Sequence, residues 1–92
     1  MPALSQQEAV ARVCSLPGWK IESGELVKTF VFQDFLGSMA FVNQVAKPAE
    51  VAGHHPDIDI RYSRVKIALT THDAGGLTEK DFNLAGEIEM LA

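Results

Sequence analysis

All three histidines of the chain lie between positions 54 and 72, and two of them stand side by side ahead of a proline in His54-His55-Pro56. The ordinary pKa of histidine lies nearest neutral pH of any side chain, so such a cluster suits proton donation and acceptance without extreme tuning by the fold. Pro56 biases His55 toward an extended backbone, in which consecutive side chains diverge, so His54 and His55 should reach different parts of a site. A plainer role is also open, because a histidine pair following a helix can bond the terminal carbonyls and face the negative end of the helix dipole. Taken alone, the pair favours that plainer role. A metal is not expected: no two histidines stand at the i, i+4 spacing of a helical chelate, and divergent neighbours rarely grip one ion.

His72 stands in Thr70-Thr71-His72-Asp73 at the end of a predicted strand, a place where functional groups commonly sit on a rigid base. By alternation it points away from Val65, Ile67 and Leu69, and hence away from the core. Asp81, the third residue after Thr78, reads first as a helix-capping carboxylate. Glu50 reads as a surface helix residue and Tyr62 as a sheet residue.

The elements that must position these side chains follow from periodicity. Ser5 and Glu8 form a capping signature ahead of Ala9, Val10, Val13 and Cys14 on one helical face, so a first helix is predicted to about Leu16. Pro17-Gly18 ends it. Strands are predicted over Trp19 to Glu22 and Leu26 to Phe32, joined by a tight turn at Ser23-Gly24. Leu26, Phe30 and Phe32 share one side of the second strand with Lys28, which is expected at an edge with its ammonium in water. From Asp34 the recurrence of Phe35, Met39, Val42 and Ala46 predicts a long second helix, broken or restarted at Pro48 and ended by Gly53. Ile58, Ile60 and Tyr62 form one alternating run, and Val65, Ile67 and Leu69 another beyond a turn at Ser63-Arg64. A third helix follows Thr78, carrying Leu84, Ile88 and Leu91. The order α-β-β-α-β-β-α predicts an α+β domain over residues 1–92: a four-stranded antiparallel sheet with three helices packed on one face.

Composition narrows the function classes. At 92 residues and 47% hydrophobic, the chain has room for one core and no second domain. A domain of this size buries only about 60 to 65% of its unfolded surface, so self-association is the natural supplement. One cysteine, Cys14, excludes an internal disulfide and fits a reducing compartment. No basic stretch leads into an apolar run at the N-terminus, and no run is long enough for a bilayer, so a cytoplasmic, membrane-free protein is expected. A net charge of −4 gives no reason to approach a nucleic-acid backbone.

The same residues form one spaced array: Glu50, three residues, His54-His55-Pro56, five residues, Tyr62, nine residues, His72, eight residues, Asp81. This array resembles the signature of the pterin-4a-carbinolamine dehydratases, also called dimerization cofactors in animals. Thr71-His72-Asp73, Gly76-Leu77-Thr78 and Asp81-Phe82-Asn83-Leu84-Ala85 are similar to the family's C-terminal half, and Trp19 and the Phe30–Phe32 strand are similar in type and position. Pro48 and Ile58 depart from the usual pattern, the latter at a position expected to affect pocket shape.

The resemblance implies the same sheet-and-helix architecture and removal of water from a 4a-hydroxytetrahydropterin, giving quinonoid dihydropterin, without metal or redox cofactor. It implies His54, His55 and His72 as catalytic and pterin-contacting groups, with His55 and His72 doing acid and base work in an order left open. Asp81 and Glu50 take supporting roles, Asp81 orienting a histidine or the pterin amide. Thr71 and Trp19 join the substrate-contacting set. A homodimer or homotetramer and a link to an aromatic amino-acid hydroxylase are further implications. The competing readings are a protein-interaction module, as in animal coactivators, and a related dehydratase of another pterin pathway.

Overall fold

Capping residues decide where the helices of the chain begin. In the computed structural model, which describes residues 2–92, the Ser5 hydroxyl accepts the Glu8 amide while the Glu8 carboxylate accepts the Ser5 amide. This reciprocal pair opens α1 (Gln6–Val13). Thr78 and Asp81 open the last helix, α3 (Glu79–Leu91), in the same way. Between them run β1 (Lys20–Glu22), β2 (Glu25–Val31), α2 (Phe35–Ala52), β3 (Asp57–Arg61) and β4 (Arg64–Leu69), with a short 3-10 turn at His72–Ala74. The strands pair antiparallel in the order β1-β2-β4-β3. The architecture is the expected α+β one, in the expected element order.

Strand register puts one set of apolar side chains on one face. Leu26 pairs with Leu69 and Phe30 with Val65 across β2 and β4, while Ile58 pairs with Ile67 and Ile60 with Val65 across β3 and β4. Ala9 of α1, Phe41, Val45 and Ala49 of α2, and Phe82, Leu84, Ala85 and Ile88 of α3 join the same core, so all three helices cover that face. Val65, Ile67 and Leu69 lie at 0%, 0% and 1% exposure, and burial of each stabilises the fold by roughly 1.5–3 kcal/mol. The opposite face carries Lys20, Glu22, Thr29, Asp59, Arg61, Arg64 and Lys66, all exposed.

Several local expectations change. Val10 and Cys14 are exposed, and α1 buries only Ala9 fully. The buried stripe of α2 is Ser38, Phe41, Val45 and Ala49, turned by one residue from the predicted one, with Phe35 and Ala46 exposed. This helix is apolar on several sides, so spacing admits two stripes, and the packing of Phe41 against Phe30 (4.7 Å between ring centres) and Phe32 (5.0 Å) selects between them. Nor does Pro48 break α2. The helix runs through it, held by buried Val45 and Ala49 on either side.

Lys28 is not at an edge, because β2 lies between β1 and β4. Its ammonium donates to Glu89 at 2.8 and 3.0 Å and to the Pro17 carbonyl at 3.0 Å. Tyr62 is not a strand residue: it sits in the β3–β4 turn with φ of 52° and is exposed. That left-handed backbone costs a tyrosine about 1–2 kcal/mol. It is held by the Ser38 hydroxyl donating to the Tyr62 carbonyl at 2.6 Å and by the Phe32 amide donating to the Ser63 carbonyl at 2.7 Å.

Two long-range polar links close the helical layer. Glu89 of α3 accepts from both Lys28 and the Trp19 indole N–H, the latter at 2.8 Å. The Arg12 guanidinium bonds Glu79 and lies 5.1 Å over the Phe82 ring, tying α1 to α3. Glu89→Ala is predicted to lower unfolding stability by about 1–3 kcal/mol in urea titration, since two part-buried donors lose their acceptor. A loss no larger than that of an exposed ion pair would contradict this. Arg12 holds the Glu79 carboxyl below its ordinary 4.5, so the stability that this pair contributes is present above that value and is lost as pH falls through the lowered one. Glu79→Gln should therefore flatten the acid limb of the stability curve below about pH 4.5, and an unchanged limb would count against the link.

Candidate active site

A helix ending places the first histidine. Gly53 adopts the left-handed conformation (φ 62°), its amide bonding the Glu50 carbonyl at 3.1 Å, while the next amide, that of His54, reaches back to the Ala49 carbonyl at 3.1 Å. This Schellman closure satisfies carbonyls that the helix would otherwise leave open. It also turns the chain so that the His54 ring meets α3, where Nε2 lies 2.6 Å from Asp81 Oδ1.

Asp81 is 0% exposed and spends both oxygens on partners. Oδ2 accepts from the Thr78 amide at 2.9 Å and from the Thr71 hydroxyl at 2.8 Å, and the Thr71 and Thr78 hydroxyls are themselves 2.8 Å apart. The capping role read from spacing is present, and the same carboxylate orients a histidine. One carboxylate thereby joins the start of α3, the end of α2 and the segment after β4.

His55 faces the opposite circumstance. Its Nε2 lies 2.6 Å from Glu50 Oε1, the same separation as in the His54–Asp81 pair. Yet the His55 and Glu50 side chains are 63% and 78% exposed, against 11% and 0% for His54 and Asp81. Water screens the first pair, so its contribution is small, whereas the second is shielded and rigid.

β4 ends at Leu69, earlier than expected, and Thr71 makes a single bridge with Gly76. His72 thus begins a 3-10 turn rather than ending a strand, and it is exposed. The three histidines nonetheless line one cleft of about 330 Å³, together with Gly53, the Thr70–Asp73 segment and Lys80. That volume sits at the lower end of small-molecule sites.

The remaining predicted contacts fall differently. Trp19 does not border the cleft: it is 5% exposed in the core, edge-on to Phe30 at 5.9 Å, with its N–H held by Glu89. Glu50 stands outside the lining residues and reaches the site only through His55. Thr71 lines the cleft, but its hydroxyl is committed to Asp81 and Thr78. Ile58, on β3, is not among the residues lining this cleft. Lys80 also lines the cleft, a placement that the spaced array of histidines and carboxylates does not mark. A signal existed, since a lysine in the first turn of a helix opposes the helix dipole and so invites another explanation. Among the described residues, no three His, Cys, Asp or Glu side chains converge as a metal site.

The family described as Pterin 4 alpha carbinolamine dehydratase matches residues 2–91. A protein of Acidobacterium capsulatum, provisionally named pterin-4-alpha-carbinolamine dehydratase, is 57% identical over 91 residues, covering 99% of each chain. One of Chloroflexus aurantiacus with the same provisional name is also 57% identical, covering 99% of this chain and 98% of its own. Among solved structures, a transcriptional coactivator/pterin dehydratase from Brucella melitensis superposes with a TM-score of 0.94 at 32% identity, covering 98% of both chains. A pterin dehydratase-like protein identified as a RuBisCO assembly factor in the alpha-carboxysome superposes at 0.65 with 27% identity, covering 80% of this chain and 86% of its own.

The two His–carboxylate pairs share a distance and differ in burial, which separates their effects on stability. Asp81→Ala is expected to cost at least about 3 kcal/mol, because a part-buried imidazole, a buried hydroxyl and a buried amide lose their acceptor. Glu50→Ala should change stability by no more than about 0.5 kcal/mol. Urea unfolding of both variants checks this, and equal losses would contradict it.

Proposed function

The chain belongs to the pterin-4a-carbinolamine dehydratase family, and from that premise we propose that it removes water from a 4a-hydroxytetrahydropterin by histidine acid–base chemistry. The observation that carries this reading is the convergence of His54, His55 and His72 on one cleft. A protonated imidazole donates to the 4a-hydroxyl, the carbon–oxygen bond breaks and water departs. A neutral imidazole takes the proton from the adjacent ring N–H, and the electron pair forms the new double bond of the quinonoid dihydropterin. One proton is given and one taken. The step neither oxidises nor reduces the pterin, so it calls for no redox cofactor, and we assign it none and no metal.

His55 and His72 are exposed and can exchange protons with water between turnovers, which supports their assignment to acid and base work. His54, gripped by Asp81, contacts the bicyclic ring from a fixed position. Glu50 acts on the site through His55. The substrate would come from an aromatic amino-acid hydroxylase, whose reaction leaves a 4a-hydroxylated pterin, and the dehydrated product would pass to a reductase. A cytoplasmic homodimer or homotetramer completes the reading. The small core, the unpaired edge of β3 and exposed Val31, Leu36, Val51 and Met90 support association.

A second reading is favoured by the solved neighbours, one a transcriptional coactivator/pterin dehydratase and one a pterin dehydratase-like assembly factor: the chain serves as an interaction module. A third keeps the dehydratase chemistry in another pterin pathway.

Purified protein is expected to accelerate decay of 4a-hydroxytetrahydropterin, unchanged by a chelator. His55→Ala or His72→Ala should slow it about a hundredfold or more while circular dichroism and unfolding stay near wild type. Wild-type decay no faster than buffer would favour the interaction module, and loss on chelation restored by zinc would favour a metal mechanism.

A further inference from the structure

The hydrogen bonds around Asp81 have a direction. A carboxylate only accepts, so the Thr71 hydroxyl, 2.8 Å from Oδ2, must give its proton to Asp81. Having one hydrogen, Thr71 must then accept from the Thr78 hydroxyl at 2.8 Å. Thr78 is free to donate because its own oxygen serves as acceptor for the Lys80 amide at 3.3 Å. On the other oxygen, His54 Nε2 at 2.6 Å must carry a hydrogen as well. The chain of donors therefore runs Thr78 to Thr71 to Asp81, with His54 donating from the opposite side.

We propose that Thr71 is a positioning residue: its hydroxyl, oriented by Thr78, holds the Asp81 carboxylate so that neutral His54 keeps its hydrogen on Nε2 and presents Nδ1 as an acceptor. Burial makes this arrangement effective. Thr71 is 8% exposed, and Thr78 and Asp81 are each 0% exposed, so water cannot replace a lost donor without entering the core. The Thr71 backbone is fixed independently, its amide bonding the Gly76 carbonyl at 3.1 Å and its carbonyl accepting from Ala74 at 3.1 Å. Removal of the hydroxyl alone leaves Oδ2 with the Thr78 amide and Oδ1 with His54, and so loosens the hold on the carboxylate's orientation.

Two consequences follow for the site. His54 and His55 play unlike parts although they are adjacent, since only His54 has its tautomer set from beneath by a buried chain. And Thr71, although it borders the cleft, contributes through Asp81 and His54 rather than by a hydroxyl offered to the ligand. A pterin ring N–H is the matching group for an imidazole nitrogen that accepts. This deepens the proposed dehydration and rests on it only for the kinetic effect; the tautomer does not depend on any substrate.

Long-range proton–nitrogen spectra of the full chain, with His54 assigned by loss of its signals in His54→Gln, read the tautomer directly. Wild type and Thr71→Ser are expected to hold neutral His54 as the Nε2–H form, and Thr71→Val to populate Nδ1–H as well. In the dehydration assay Thr71→Val should lower kcat/KM about ten- to hundredfold with an altered pH profile, and Thr71→Ser should restore most of it. A wild-type His54 carrying its hydrogen on Nδ1 overturns the proposal whatever the variants do. So does a folded Thr71→Val with wild-type tautomer and kinetics. Should the tautomer respond as stated while wild type shows no dehydration, the positioning stands and the dehydratase reading is what fails.

Discussion

A buried carboxylate bonded at both oxygens is costly to assemble and costly to disturb, and Asp81 is the point at which three parts of this fold are joined. It receives the Thr78 amide at the start of α3, the Thr71 hydroxyl from the segment after β4, and the His54 ring from the end of α2. Left without any of these partners, it would face the desolvation penalty of an ion in an apolar interior. The three elements are consequently held in register by one group, and the cleft forms where they meet. Sheet and core supply the rigid base, while Asp81 determines how the base presents imidazoles.

The chemistry of the site depends on an asymmetry in that presentation. His54 is held from below and His55 is solvated, although each lies 2.6 Å from a carboxylate oxygen. His72 enters from a 3-10 turn anchored by the Thr71–Gly76 bridge. Proton transfer at neutral pH needs groups that can exchange with water, and substrate orientation needs groups that cannot wander. The cleft contains both kinds, as the proposed elimination requires.

The parts of this arrangement legible in the sequence are those whose causes lie within a few residues. Ser5 with Glu8, Thr78 with Asp81, and Ser23-Gly24 announce caps and a turn because their partners are three residues away or adjacent. The histidines and Asp81 were visible by type and spacing, and the element order followed from periodicity. Other features are set by partners far along the chain. Trp19 is drawn into the core with Glu89, 70 positions on, and Lys28 meets the same carboxylate 61 positions on. The rotation of α2 is decided by Phe41 against β2, and the turn at Tyr62 by a hydrogen bond from Ser38. The continuity of α2 through Pro48 likewise reflects tertiary packing that overrides a local preference.

The central claim is that three imidazoles, one of them clamped by Asp81, surround a single pterin-sized site. Its most direct measurement is a titration of the full chain with a stable dihydropterin while the ring signals of His54, His55 and His72 are followed by NMR. All three are predicted to shift along one saturation curve with a common Kd. Signals that stay put at saturating ligand, or that shift with unrelated midpoints, would contradict a shared site.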